Sequence, residues 1–297
     1  LVQKENDSVQ SRAYRFVLDR WNKQPEGNLT IDFYVDQTSG SWVNEIESGL
    51  KAGARFWGTS APGSKPIPAF ISSDPTFIEE ALAKAGIKQT IDDRDRNRNA
   101  RGGQAGFHGG QIPYWDFLFK DPSTRTNVGY FQVGPHEYTH YAQSQLVNSG
   151  SWNEAGPWFN EGLASFIGSA LGPMIKMPHN QMNDWRANLS PSMSTPLAFF
   201  NESNESVYRS SEWGNVYPLG ALATQAVVAL VGVDAVVSFY KDLGSSNNKE
   251  SAYTKNFKLE SRQLVAVLQG YIDSIRTRKE WTLPTLETKY KEAIAKG

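Results

Sequence analysis

The chain has 297 residues, 39% of them hydrophobic and 21% charged, with a formal net charge of -1. That length suffices for one large domain or two lobes sharing a core, and the near-neutral balance excludes the basic surface that nucleic-acid phosphates require. Cysteine is absent, so disulfides and thiolate ligands are excluded and any metal site must be built from histidine and carboxylate.

Residues 8 to 22 read as an opening helix with Tyr14, Phe16, Val17 and Trp21 on its buried side. Leu29-Thr-Ile-Asp-Phe-Tyr-Val-Asp36 and Pro68-Ala-Phe-Ile-Ser72 read as strands, separated by a helix over residues 42 to 57, and the alternation runs to about Ala85. Residues 87 to 111 carry charge, asparagine and glycine and form the clearest long loop. Within it, Asp93-Arg-Asp-Arg-Asn-Arg-Asn99 has the alternating oxygen groups of a Ca2+ loop. It has Gln104 where the closing glutamate belongs and carries three arginines, so a solvated loop is the preferred reading over a Ca2+ site. His108, in the same stretch, reads as a loop histidine in preference to a substrate contact. Gln111-Ile-Pro-Tyr-Trp-Asp-Phe-Leu-Phe119 is a strand candidate whose proline, near the start, suits a sheet edge.

The chain has four histidines, and two of them stand in Gly134-Pro-His-Glu-Tyr-Thr-His140. Positions i and i+4 of a helix lie one turn apart on one face, so His136 and His140 can reach a single Zn2+, with Glu137 beside the metal where a base is needed. Pro135 suits a first helical position and Asn148-Ser-Gly150 supplies residues that tolerate the turn past a helix end, which predicts a helix over residues 135 to 147. A hydrolytic zinc site takes three protein ligands and leaves the fourth position open. Glu161 is the candidate third ligand, in Trp158-Phe-Asn-Glu-Gly-Leu-Ala-Ser-Phe166, a second apolar-periodic helix opened by Pro157 and closed by Gly172-Pro173. Twenty residues separate His140 from Glu161, room for one helix to end and a second to run back.

The pairing of His136-Glu-Tyr-Thr-His140 with Asn160-Glu-Gly-Leu-Ala164 resembles the gluzincin, peptidase MA-like zinc metallopeptidases, the group of thermolysin and the zinc aminopeptidases. The resemblance implies a zincin-like α+β fold, a mixed α/β N-terminal lobe, an active-site helix and a mostly helical C-terminal lobe. It implies Zn2+, one per chain, on His136, His140 and Glu161, with Glu137 as general base. Aminopeptidase-type gluzincins also place an oxyanion-stabilising tyrosine downstream, at the start of a long apolar helix. Asn215-Val-Tyr-Pro-Leu-Gly-Ala221 matches, making Tyr217 the counterpart and Tyr208 its rival. The segments 221 to 232 and 233 to 243 resemble the helices that follow. Two features depart from the family. Where the aminopeptidases carry Gly-x-Met-Glu-Asn, this chain has Gly106-Phe-His-Gly-Gly-Gln111, without an acid, so exopeptidase action is not supported. The turns after Glu161 carry Ser165 and Gly168 in place of an acid, so the surroundings of the metal must be built from other groups.

Residues 1 to 150 therefore form the α/β lobe ending in the zinc-binding helix, and 151 to 297 the helical lobe carrying the third ligand, with helices also over 261 to 276 and 286 to 295 and a cleft between the lobes. The longest apolar run, residues 219 to 240, is interrupted by Gln225, Gly232 and Asp234, which favours a buried helix over a membrane span. The start at Leu1, with tryptophan, tyrosine, asparagine and serine plentiful, points to a processed, secreted or extracytoplasmic product. Sequons stand at Asn6, Asn28, Asn188, Asn201 and Asn204, where such a composition holds about three by chance, so they decide nothing. The expected activity is hydrolysis of peptide or protein substrates, the substrate adding as a strand along the edge at 111 to 119. Two alternatives stay open: a catalytically silent relative that keeps the metal as a secreted binding or structural protein, and a binding module in which nine tryptophans form contact surfaces and the His-Glu-x-x-His frame is fortuitous. Specificity and oligomeric state are not encoded in any motif.

Overall fold

Asp74 opens one helix by accepting from the Thr76 N–H, with Pro75 at its first position, and Thr282 opens another in the same way through the Thr285 N–H, followed by Pro284. Such local signals place most elements where the sequence predicts them. The computed structural model describes residues 8–26, 28–58, 66–88, 104–108, 113–119, 128–147, 152–177, 180–202, 205–246 and 248–297. The run Asp93 to Asn99, and the sequons at Asn6 and Asn204, lie outside the described residues.

The class is α+β, with helices dominating. The described elements are α1 (Val9–Lys23), β1 (Ile31–Val35), α2 (Val43–Trp57), β2 (Ile67–Ser72), α3 (Pro75–Lys84), β3 (Gln104–His108), β4 (Tyr114–Leu118), α4 (Val128–Leu146), α5 (Pro157–Ala170), α6 (Gln181–Asn188), α7 (Glu205–Tyr208), α8 (Val216–Val231), α9 (Val233–Ser246), α10 (Lys249–Phe257), α11 (Ser261–Arg276) and α12 (Leu283–Lys296). Two compact units divide the chain. One comprises Gln24–Ala142 and Leu171–His179; the other comprises Leu1–Lys23, Gln143–Ala170 and Asn180–Gly297. The opening helix, which the division at residue 150 assigns to the N-terminal lobe, thus clusters with the C-terminal helices. In α1, Val9, Ala13 and Val17 are buried, while Tyr14, Phe16 and Trp21 are half-buried.

The first unit is built on a four-stranded sheet of order β1-β2-β4-β3. β1 pairs parallel with β2 and β2 parallel with β4, whereas β3 pairs antiparallel with β4, His108 opposite Tyr114 and Gly106 opposite Asp116. This corrects two expectations. The strand predicted over 111 to 119 is an interior strand, not an edge, because Pro113 precedes the ladder and so removes no donor from it, and all five residues of β4 are buried. The edge is β3, inside the stretch expected to be loop; its Gln-Ala-Gly-Phe-His sequence lacks the β-branched residues by which a strand is recognised.

A third correction concerns the helix over 135 to 147. α4 begins at Val128, and Pro135 stands inside it. Proline there forfeits one helical hydrogen bond, but it belongs to a close crossing with α2. A Cβ on Gly49 would lie 2.8 Å from Pro135 Cδ and 3.0 Å from the Gly134 Cα, and one on Gly53 would lie 2.7 Å from Tyr138 Cβ. The Gly134-Pro135 pair therefore marks a contact between helices, not a helix start.

In the second unit, α5 and α8 cross even more closely. A Cβ on Gly162 would fall 2.2 Å from the Gly220 carbonyl carbon, and one on Gly220 would fall 2.4 Å from the Trp158 carbonyl oxygen. Trp213–Val231 is long and apolar enough to cross a membrane, and 67% of its most apolar window is buried within the protein. The contact with α5 accounts for that apolar character. A ring cluster of Phe159, Phe239, Tyr240, Tyr253 and Phe257 fills the space beside α5, all five with no exposed surface.

Candidate metal centre

His136, Glu137 and His140 are carried by the middle of α4, which is held by hydrogen bonds from β4 and from α2. The Trp115 indole of β4 donates to the Glu137 carbonyl oxygen at 3.3 Å, and the Trp57 indole of α2 donates to the Thr139 hydroxyl at 3.1 Å. The two residues between the glutamate and the second histidine, together with the next one, complete the packing. Tyr138 and Tyr141 are fully buried against Trp115, ring centroids 6.1 and 5.8 Å away, and Phe107 of β3 meets Tyr141 edge-on at 5.4 Å. Burying one face of α4 in this way fixes the direction in which its other face projects the histidines.

His136 and His140 are 8% and 6% exposed, and their Nε2 atoms stand 3.1 Å apart. Together with Glu161, each offers a donor atom, and these atoms all lie within 4.8 Å of one another. This group could hold a metal ion. Two imidazole nitrogens each about 2.0–2.1 Å from one tetrahedral ion stand about 3.3 Å apart, close to the separation found. The donor set, two imidazole nitrogens and a carboxylate, suits a borderline cation. Glu137, 4% exposed, has its carboxylate Oε1 3.8 Å from His136 Nε2, beside the donor set.

The remaining predicted residues are placed as follows. Tyr217 sits in the first turn of α8, half-buried, its ring edge-on to Trp213 at 6.2 Å. It stands one helical turn before Gly220, where α8 crosses α5 at Gly162. Tyr208, 44% exposed, lies against the same Trp213 at 4.8 Å. His108 is in a strand, not a loop. Trp115 and Phe107 face α4, so by strand alternation His108 and Asp116 face the opposite side of the sheet. There His108 stacks on Tyr114 at 4.4 Å and pairs with Asp116 at 3.0 Å, on the side where Tyr114 joins Phe70, Ile78 and Leu82. A substrate role for His108 at the metal group is not supported by that placement.

Sequence reasoning missed a polar cluster beside Glu161. The Gln143 side-chain amide donates to the Tyr240 hydroxyl oxygen at 2.9 Å and to the Asn160 main-chain carbonyl at 3.2 Å, and the Tyr240 hydroxyl donates to Asn160 Oδ1 at 2.9 Å. One signal was available. Gln143 follows His140 by three residues, so it continues the histidine-bearing face of α4 as a polar residue in a buried helix.

Comparison with family models, with curated proteins and with solved structures returned no match. The chemical reading of the site therefore rests on its own residues and geometry.

Proposed function

We propose that the protein is a zinc-dependent metallopeptidase of the gluzincin type with a zincin-like fold, hydrolysing peptide bonds in polypeptide substrates. The observation that carries this reading is the convergence of His136, His140 and Glu161 donor atoms within 4.8 Å, with Glu137 beside them. Zinc is favoured over harder cations because two of the three donors are imidazoles. Held by these residues, it supplies Lewis acidity that lowers the pKa of a water towards about 7 and polarises the scissile carbonyl.

The protein's own groups do the rest. Glu137 accepts the proton of the attacking water and returns it to the leaving amine, a task suited to a carboxylate within hydrogen-bond reach of the reacting atoms. The Tyr217 phenol donates to the carbonyl oxygen as negative charge develops there. Substrate backbone pairs with β3, which is an edge of the sheet among the described strands and packs on α4 through Phe107 and Tyr141. Pairing through backbone groups tolerates varied side chains, which fits an endopeptidase. Extracytoplasmic location belongs to the same reading.

The test is cleavage of an unfolded polypeptide by the purified protein before and after chelation. Activity lost with the metal and restored by zinc is expected. A protein that binds zinc stoichiometrically yet cleaves nothing in a broad peptide library would instead be the silent, binding relative.

A further inference from the structure

The turns after Glu161, where gluzincins carry an acid, hold Ser165 and Gly168, so the third ligand must be steadied by something else. We infer that Gln143, Asn160 and Tyr240 form a positioning network that sets the place of Glu161 against the last turns of α4; this rests on the metallopeptidase reading above.

All three residues are buried, Gln143 and Tyr240 completely and Asn160 to within 4%. Three hydrogen bonds join them directly. Gln143 spends one amide hydrogen on Tyr240 and the other on the Asn160 carbonyl, while Tyr240 accepts from Gln143 and donates to Asn160 Oδ1. Asn160, immediately before Glu161, is thus held through both its main-chain and its side-chain oxygen by groups from α4 and α9, in addition to its own N–H bond to Gly156 at 3.1 Å. The residue before it is held as well, since the Tyr240 ring stacks on Phe159 at 5.8 Å with an interplanar angle of 8°. Two successive residues leading into the ligand are therefore fixed, and a carboxylate one residue further on has little freedom in where its Cα lies.

Tyr240 remains a neutral donor throughout the working range. Burial pushes its phenol well above the usual value of 10.0, and the nearby Glu161 charge adds to that effect. Groups that orient metal ligands from outside commonly matter about 10- to 100-fold to affinity, and ligand placement within about 0.5 Å is what such support provides.

The experiment measures zinc affinity by competition with a chromophoric chelator in wild type, Tyr240→Phe, Gln143→Met and Tyr253→Phe. Tyr253 is the control. It is equally buried in the same ring cluster and its hydroxyl donates to the Ala155 carbonyl at 3.0 Å, away from Asn160. Tyr240→Phe keeps the ring stack and should weaken zinc about 10- to 100-fold, as should Gln143→Met, whereas Tyr253→Phe should lower the melting temperature without changing zinc affinity. If Tyr240→Phe does not fold, Gln143→Met carries the same test. Wild-type affinity in the folded Tyr240 and Gln143 variants, or equal weakening in Tyr253→Phe, overturns the positioning role while leaving the metallopeptidase reading intact. A wild-type protein that binds no zinc overturns both.

Discussion

Two carboxylate clusters in this protein look alike in sequence density and are opposite in chemistry. At the end of β1, Asp36 is saturated: Oδ1 accepts from the Thr38 N–H, the Thr38 hydroxyl and the Ser39 N–H at 2.7–2.8 Å, and Oδ2 from Ser72 and from the Ser73 N–H at 2.8 Å. Burial opposes the charge, but these donors outweigh it and hold the carboxyl well below the usual carboxylate range. Around Glu161 the neighbours are instead two imidazoles and a second carboxylate, so acceptor atoms converge where Asp36 gathers donors. Donors gathered on a carboxylate tie strands together, whereas a carboxylate whose oxygen converges with two imidazole nitrogens belongs to a group that could hold a metal ion. Asp36 therefore serves the ends of β1 and β2, and Glu161 the candidate metal group.

The contrast can be broken most forcefully at Glu137. Glu137→Gln is isosteric but cannot take a proton, so zinc content and melting behaviour should stay unchanged while kcat falls by about 10²- to 10⁴-fold. Steady-state kinetics beside metal analysis reads this, and turnover above a tenth of wild type would make Glu137 structural.

Tyr217→Phe should lower kcat by about 10²- to 10³-fold, the usual loss for one oxyanion donor, with zinc content unchanged. Tyr208→Phe, against Trp213 and 44% exposed, should leave kcat as it is. Reversal of that pair would move the oxyanion role to Tyr208.

The smallest effect belongs to the saturated cluster. Asp36→Asn should destabilise the sheet unit by about 1–3 kcal/mol through donors left short of an acceptor, and leave zinc affinity untouched. Because the folded pKa of Asp36 lies well below its unfolded value, its contribution is complete above the ordinary carboxylate pKa of about 3.9 and declines as the pH falls from there towards the folded pKa. The gap in melting temperature between wild type and Asp36→Asn should therefore narrow, without closing, between pH 7 and pH 3; a constant gap would show that the carboxylate charge is not what stabilises the turn.

How much of this was legible in the sequence depends on the range over which each feature is encoded. His136, Glu137 and His140 are read from a five-residue frame because helix geometry alone brings them together, and Glu161 from a second helix close behind. The start of α4 was misread because the first-turn preference of Pro135 is a local signal, while the reason it sits mid-helix is contact with Gly49, distant in sequence. β3 and the interior place of β4 were misread for a similar reason, since pairing partners are chosen by the sheet and not by the strand. The Gln143–Tyr240 bond spans 97 residues, and neither residue type at its position announces the other.

The central claim is that the convergence of His136, His140 and Glu161 is a zinc site, and metal analysis of dialysed wild type and Glu161→Ala tests it most directly. One zinc per wild-type chain and little or none in folded Glu161→Ala is the expected result, since three protein ligands define a stable catalytic site. Wild-type protein without zinc after reconstitution, or full occupancy in Glu161→Ala, would contradict it.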